Sequence, residues 1–259
     1  MSHLIHPTAL IDQSAQIADD VKIGAYTIVE ADVSIGKGTE IKHHVTIARY
    51  TDIGENNRIF QYSSIGEESQ DKKYNGEPTR TLIGNNNTIR EYVSIHRGTV
   101  DDKGLTQIGN DNWIMAYVHI AHDCVLANNI IIANCATLAG HVHLDDYVIL
   151  GGFTKLHQFC RIGAHAFTAM DTNFQKDLPP YVMAQGSPAK PRIINAEGLK
   201  RRGFSQDDIT ALKKAFRLLY KSDLRLTDAL EGMQKLADKH DCVQLMVDFI
   251  NSSSRSIVR

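Results

Sequence analysis

The sequence predicts an all-β solenoid, a left-handed parallel β-helix of hexapeptide repeats, followed by a small α-helical C-terminal domain. Three observations predict it. Ile or Val occupies positions 5, 11, 17, 23, 29, 35, 41, 47, 53, 59 and 65, eleven hexads without a miss. The beat returns at Ile83, Ile89 and Ile95, then runs Ile108, Ile114, Ile120, Leu126, Ile132, Leu138, Leu144, Leu150, Leu156 and Ile162. Four residues after each aliphatic stands a small or β-branched residue, as in Ala15, Val21, Thr27, Val33, Thr39, Val45 and Thr51. Helical spacing would need apolar residues at three and four, and a flat strand at every second residue, so neither fits. A period of six with Gly, Asn and Asp between the aliphatics describes short strands joined by tight corners. Three hexads close one triangular coil, and coils stack at about 4.8 Å, the ordinary inter-strand spacing.

The β-helix is expected over 1–190, with two interruptions. Between Ile65 and Ile83 the run GEESQDKKYNGEPTRTL lacks the pattern, and the step from Ile95 to Ile108 is 13 residues. Loops are therefore expected at about 67–82 and 101–107, and loops on a rigid scaffold are where binding residues concentrate. Near DLPPYVMAQGSPAKP four prolines oppose continuation of a ladder to which they cannot donate. A helical domain is expected over 191–259. Ser205-Gln206-Asp207-Asp208 resembles a capping box, and Ile209, Leu212, Ala215, Phe216 and Leu219 fall on one helix face. Thr227 is read as the cap of a second helix through about Lys239, and Asp241 as that of a third, with Val243, Val247 and Ile250 inward.

Composition excludes several classes. With 28 Lys plus Arg against 30 Asp plus Glu, no overall basic field advertises nucleic acid. From Arg192 to Arg259 there are 13 basic and 9 acidic residues, against 15 and 21 before them, so a basic patch belongs to the C-terminal segment. The start has no basic region followed by an apolar run, and no stretch approaches the ~18 apolar residues of a membrane span. A soluble, cytoplasmic protein is expected. Cys124, Cys135, Cys160 and Cys242 are spaced unlike a metal or redox motif and are read as reduced packing residues.

Among twelve histidines the repeat decides which matter, because the inward positions of a hexad are the aliphatic one and the one four later. In Ile120-Ala-His-Asp-Cys-Val, both His122 and Asp123 face out. Eighteen residues on, at the same corner, is Gly140, and another eighteen gives Gln158; beside that column Asp123 lies under His141, and His157 flanks Gln158. The six converge within about two coil spacings. An imidazole that takes a proton near neutral pH, a carboxylate to orient it and a glycine whose N–H can meet an oxyanion read as acid–base chemistry. Zinc is the competing reading: His119 with His122, and His141 with His143, could supply ligands, as three histidines do in carbonic anhydrases of this architecture. Gly140 and Gln158 offer no ligating imidazole or carboxylate, so no metal is expected. A purely structural surface cluster is the third reading. The outer wall of a prism is convex, so a neighbouring subunit is expected to supply the other wall, and the threefold profile suggests a homotrimer.

Residues along essentially the whole chain carry a resemblance. QDKKYNGEPTR (70–80), IHRGTV (95–100), HIAHDC (119–124), LAGHVHLDD (138–146), HQFCRIGAH (157–165) and EGLKRRGFS (197–205) are similar to segments of the UDP-N-acetylglucosamine 3-O-acyltransferase family, which begins lipid A synthesis. The resemblance implies that His122 is the general base on the glucosamine 3-hydroxyl, that Asp123 orients it, and that the Gly140 N–H holds the thioester oxyanion. It further implies that Asp71, Lys73, His119, His141, His157 and Gln158 contact sugar, diphosphate or acyl chain. Asn195, Glu197, Arg201 and Arg202 match the nucleotide end. The donor implied is a 3-hydroxyacyl chain on acyl carrier protein, an acidic partner suited to the basic C-terminal segment, and no further cofactor is implied.

Two positions depart from the family pattern. Met170 stands where long-chain members carry glycine at the end of the acyl pocket, which implies a donor near ten carbons if those members use about fourteen. QGSPAKPRIIN replaces a more usual QGN-x-A stretch ahead of Asn195. The related UDP-glucosamine N-acyltransferase is the nearest enzyme alternative, and typically carries a domain before its hexads, whereas here the beat starts at Ile5. A zinc-dependent β-helical enzyme and a non-catalytic β-helical scaffold are the alternatives from other classes.

Overall fold

The computed structural model describes residues 4–259. Each hexad contributes one strand, usually of two residues, and successive strands fall on three faces in rotation. The first face holds nine strands, from Leu10–Ile11 to Asn173–Phe174; the second holds eight, from Gln16–Ile17 to Arg161–Ile162. The third holds ten, beginning at Lys22–Ile23. Pairing is parallel between residues one coil apart, as in His119↔Thr137 and Ile120↔Leu138. This is the left-handed β-helix that the period of six predicts.

Burial follows the same rule. Ile47, Ile59, Ile65, Ile89, Ile120 and Leu138 are fully buried, and so are the positions four later that carry Thr27, Val45, Thr51 and Cys124. Ile5, at the open end, is 40% exposed because no coil lies beneath it. Corners are held by ladders. Between the second and third faces, the Asn85 N–H donates to Asn110 Oδ1, the Asn110 N–H to Asn128 Oδ1 and the Asn128 N–H to Asp146 Oδ1, each at 2.7–2.8 Å. Between the third and first faces, Tyr62, Tyr92 and Tyr117 stack at 5.1 and 4.8 Å, one ring per coil.

Both excursions leave at the third corner, between the first and second faces, on successive coils. The first covers 68–79, between strands Ser64–Glu67 and Arg80–Ile83; the second covers 97–104, between Ser94–His96 and Leu105–Ile108. Each ends before the span 67–82 or 101–107 that the beat suggests. The reason is that the two returning strands are four residues long and pair with each other from Arg80↔Leu105 to Ile83↔Ile108, so they start ahead of the aliphatic position.

The prolines also interrupt less than expected. Val182–Gln185 adds a parallel rung to the third face, and the chain then reverses into the antiparallel strand Lys190–Ile194. Pro179 and Pro180 precede the first of these strands, Pro188 lies in the turn, and Pro191 sits in the outermost strand, where one side needs no donor. The helical part therefore starts at Ala196, not 191. It comprises α1 (Ala196–Arg201), α2 (Gln206–Tyr220), α3 (Leu226–Ala237) and α4 (Asp241–Asn251). Ser205 Oγ accepts the Asp208 N–H at 3.0 Å, and Ile209, Leu212, Ala215, Phe216 and Leu219 are buried, as the capping pattern predicts. Thr227 is not a cap: Arg225 holds that position without a side-chain bond, and Asp241 lies inside the first turn of α4 behind His240. α1 was not expected; six residues give too short a periodic signal.

Candidate active site

His122 and Asp123 stand on the corner between the first and second faces, in the coil directly above the second excursion. The strand His119–Ile120 ends there and Val125–Leu126 begins the next face, so the turn throws both side chains outward. Asp123 takes a φ of 58° and His141, one coil above, 60°, a conformation that Asp and His tolerate better than bulkier residues. Backbone continuity fixes the stack: the His141 N–H donates to the His122 carbonyl and the Phe159 N–H to the Gly140 carbonyl.

His122 Nδ1 lies 2.8 Å from Asp123 Oδ2. An ionised carboxylate only accepts, so Nδ1 carries the proton and Nε2 is left as the free base. Gly140 lies against the other side of the ring. A Cβ on residue 140 would fall 2.5–2.6 Å from His122 Cε1 and Nε2, so only glycine leaves the imidazole in this place. Among the described residues the Gly140 N–H donates to no protein acceptor. A base nitrogen and an unpaired backbone donor therefore share one small space. That is the pair of groups an acyl transfer needs, one to take a proton and one to meet the oxyanion.

Asp123 corrects one expectation. Its side chain leaves the prism, as the hexad rule predicts, but it is only 2% exposed because the 97–104 excursion covers it. The Thr99 N–H donates to Oδ1 at 2.9 Å and the Thr99 hydroxyl to Oδ2 at 2.7 Å. Burial pushes this carboxyl up, but the hydrogen bonds from His122 and Thr99 outweigh it and hold it below the usual carboxylate range. Asp102 of the same excursion reaches His141, with Oδ2 3.0 Å from Nδ1. The corner is thus not the bare convex wall that the sequence suggests; the chain builds part of the second wall itself.

The remaining expected residues divide into two groups. His141 meets His122 edge to face at 5.1 Å and stacks on Phe159 at 4.3 Å. Gln158 is in the same column and His157 beside it, its Nδ1 3.2 Å from the Gln158 carbonyl, both exposed. His119 faces outward on the first face, with Nδ1 2.8 Å from Ser94 Oγ; burial, then His96 and His122, lower its pKa. Asp71 and Lys73 belong to the first excursion, which packs on the second: Lys73 Nζ is 3.6 Å from Asp101, and Asp71, Lys73, Thr99 and Asp101 line one small cavity.

Asn195, Glu197, Arg201 and Arg202 are elsewhere. Asn195 caps α1, accepting the Gly198 N–H at 3.2 Å while its Nδ2 donates to the His165 carbonyl at 3.0 Å. Glu197 pairs with Lys200, and Arg202 lies over the Tyr147 ring at 4.9 Å. His165 and Tyr147 mark the corner between the second and third faces, so one chain does not bring these four to His122. Met170 is 72% exposed at the corner between the third and first faces.

The competing zinc reading calls on His119 with His122 and on His141 with His143. His119 is tied to Ser94, and His143 lies on the second face. His122, Asp123 and His141 do place ligand atoms within 4.8 Å of one another. Both Asp123 oxygens are already accepting from Thr99 and His122, so a cation would have to displace those donors. Sequence reading missed Thr99, Asp102 and Phe159. The first two fall where the beat is broken and the hexad rule gives no direction; Phe159 was legible, being one coil above His141.

Comparison with known proteins agrees with the fold. Residues 177–258 match the family described as Udp N-acetylglucosamine O-acyltransferase, domain 2, and residues 14–49 and 105–140 match the bacterial transferase hexapeptide. The acyl-(acyl-carrier-protein)–UDP-N-acetylglucosamine O-acyltransferase of Janthinobacterium sp. (strain Marseille) is 54% identical, covering 99% of each chain. Among solved structures, the UDP-N-acetylglucosamine O-acyltransferase LpxA of Moraxella catarrhalis is 48% identical, with a TM-score of 0.97 over 99% of this chain and 100% of its own. LpxA of Acinetobacter baumannii is 46% identical with a TM-score of 0.97 over the same shares. With the hexapeptide coils, the helical second domain and the full length all accounted for, this chain belongs to the UDP-N-acetylglucosamine O-acyltransferase family.

Proposed function

We propose that this protein transfers a 3-hydroxyacyl chain from acyl carrier protein to the 3-hydroxyl of UDP-N-acetylglucosamine, with His122 as general base. The observation that carries the mechanism is the His122 ring held between Asp123 and the bare Gly140 backbone. Nε2 takes the proton of the sugar hydroxyl as its oxygen attacks the thioester carbonyl. The carbonyl oxygen, now negative, meets the Gly140 N–H. Collapse expels the carrier's thiolate, which recovers the proton from His122. The thioester itself supplies the activated acyl group, so this reading calls on no resident cofactor.

Asp71, Lys73, His119, His141, His157 and Gln158 surround the dyad and are proposed to hold sugar, diphosphate and acyl chain. Asn195, Glu197, Arg201 and Arg202 stand at another corner of the same chain, so the reading takes them from a neighbouring subunit. Association is supported by the third face. Trp113, Ile131, Ile149, Phe167, Met183 and Ile193 follow one another rung by rung, all pointing outward. A ladder of that kind is an interface signature, and a closed trimer would cover it.

The test is to offer UDP-N-acetylglucosamine with acyl carrier proteins of graded chain length and weigh the products. A single ester on the sugar nucleotide supports the reading; absence of transfer from every donor ends it. A maximum near ten carbons, moving upward in Met170→Gly, would support the ruler, since filling a glycine site with methionine removes room for roughly three or four methylenes.

A further inference from the structure

We infer that Thr99 is a positioning residue for the acid–base dyad, holding Asp123 from beneath so that Asp123 holds His122. The inference rests on the proposed role of His122 and names a further group that serves it.

The second excursion is pinned at its neck. The Arg80 N–H donates to the Gly104 carbonyl and the Gly98 N–H to the Arg80 carbonyl, and the Thr99 carbonyl accepts from both Asp102 and Gly104. A Cβ at Gly98 would fall 2.1 Å from the Leu105 nitrogen, so glycine is what lets the two ends of the loop pass. The neck thus presents Thr99 in one orientation, with N–H and hydroxyl side by side.

Both donors go to the same carboxylate. Oδ1 takes the Thr99 N–H, and Oδ2 takes the Thr99 hydroxyl together with His122 Nδ1. From the other side the Asp123 N–H donates to Thr106 Oγ at 2.8 Å, so the residue is fixed at backbone and side chain. Thr99 is itself buried, at 6% exposure, and its hydroxyl and N–H are both spent on Asp123. Two neutral donors converging on a buried carboxyl favour its ionised form, and only that form accepts from Nδ1 and leaves Nε2 unprotonated. The hydroxyl also shares Oδ2 with the imidazole. It therefore shares with the imidazole the charge that Oδ2 offers.

The groups facing the dyad are Asp102, which reaches His141, His141 itself, whose Nε2 is 3.9 Å from Asp123 Oδ2, and His119 on the neighbouring strand. None of them donates to Oδ1.

Thr99→Val removes the hydroxyl and keeps shape and backbone donor. Its turnover should fall about tenfold with the KM for UDP-N-acetylglucosamine nearly unchanged, and Thr99→Ser should restore most of it. Without the hydroxyl, Oδ2 keeps the imidazole as its sole strong donor and stabilises its cation more. The acidic limb of the pH–rate profile should then move to higher pH, and the His122 ring, followed by NMR, should titrate higher as well. Added to Asp123→Asn, the valine change should cost almost nothing more, because it acts through the residue already lost. Wild-type rate and profile in Thr99→Val, equal loss in the serine variant, or multiplying losses in the double variant would each overturn the inference. If His122→Ala or Asp123→Asn retains full activity, the base assignment has failed instead, and the NMR titration still decides whether Thr99 tunes the ring.

Discussion

At the scale of single residues the site is a matter of atoms that must and must not be present. His122 contributes nothing to the core, so His122→Ala should fold normally while kcat/KM falls about 10² to 10⁴-fold. Circular dichroism with steady-state kinetics checks both halves, and a folded variant keeping more than about a tenth of the activity would remove His122 as the base. Asp123→Asn should lose less, because it orients the imidazole without taking the proton. Gly140→Ala is the sharper test of geometry. Its added methyl would sit about 2.5 Å from the ring, so the imidazole must swing away from its place beside the Gly140 N–H, the proposed oxyanion donor. The variant should be folded, should bind UDP-N-acetylglucosamine as wild type does by calorimetry, and should turn over at least a hundredfold more slowly. Wild-type turnover with alanine there would mean that this N–H and ring do not act together.

At the scale of elements, the coils were legible and the departures from them were not. A period of six with an inward residue at the first and fifth places gives strand, face and direction for the coil residues from Leu10 to Ile162, the two excursions apart, and the column from His122 through Gly140 to Gln158 follows from adding eighteen. An excursion has no such rule. Thr99 and Asp102 could be recognised as loop residues but not aimed, since what aims them is hydrogen bonding at the Gly98–Gly104 neck. The seam between coils and helices shows a similar gap. His165 stacks between Tyr147 at 4.8 Å and Tyr181 at 5.6 Å, with the edge of Phe204 at 5.1 Å closing the site from the helical side. Burial, then the neighbouring Arg202, push its pKa down to about 4, while Asp146 opposes them. The unfolded chain therefore binds more protons than the folded one between pH 6.5 and about 4, so folding stability should decline as pH falls through that window and level off below it. The loss should be on the order of 2 kcal/mol once the partial exposure of the ring is discounted. His165→Phe keeps the stack and removes the proton, so denaturant titrations of the two proteins should diverge as pH falls from 6.5 to about 4, with only the wild type losing stability through this site. Equal slopes against pH would show that this seam does not sense protons.

At the scale of the whole molecule, the three faces differ in what they turn outward. Below, the third face presents Lys22, Glu40 and Arg58, with Lys22 and Glu40 in an ion pair at 2.6 Å. Above, from Trp113 to Ile193, the same column is apolar for six successive rungs, with Trp113 43% and Ile193 52% exposed. The first face at that height presents His119, Thr137 and Lys155, and the second Val125, His143 and Arg161, so only the third is continuously apolar there. In a cyclic trimer each subunit would press this column against a different face of its neighbour, which also brings a foreign corner toward His122. Ile149, in the middle of the column, is the place to break it. Ile149→Asp points away from its own core, so the monomer should fold, but in the assembly it buries an unpaired carboxylate at a cost of about 3 kcal/mol or more, over a hundredfold in association. On the proposed trimer, light scattering should show the variant dissociated at concentrations where wild type is associated, and activity should decline along the same dilution curve, because one chain alone does not gather the proposed nucleotide-end residues at its own dyad. Ile149→Leu should change neither. A monomeric wild type, or a fully active monomer of the aspartate variant, would show that the dyad needs no neighbour and that the outward ladder has another purpose.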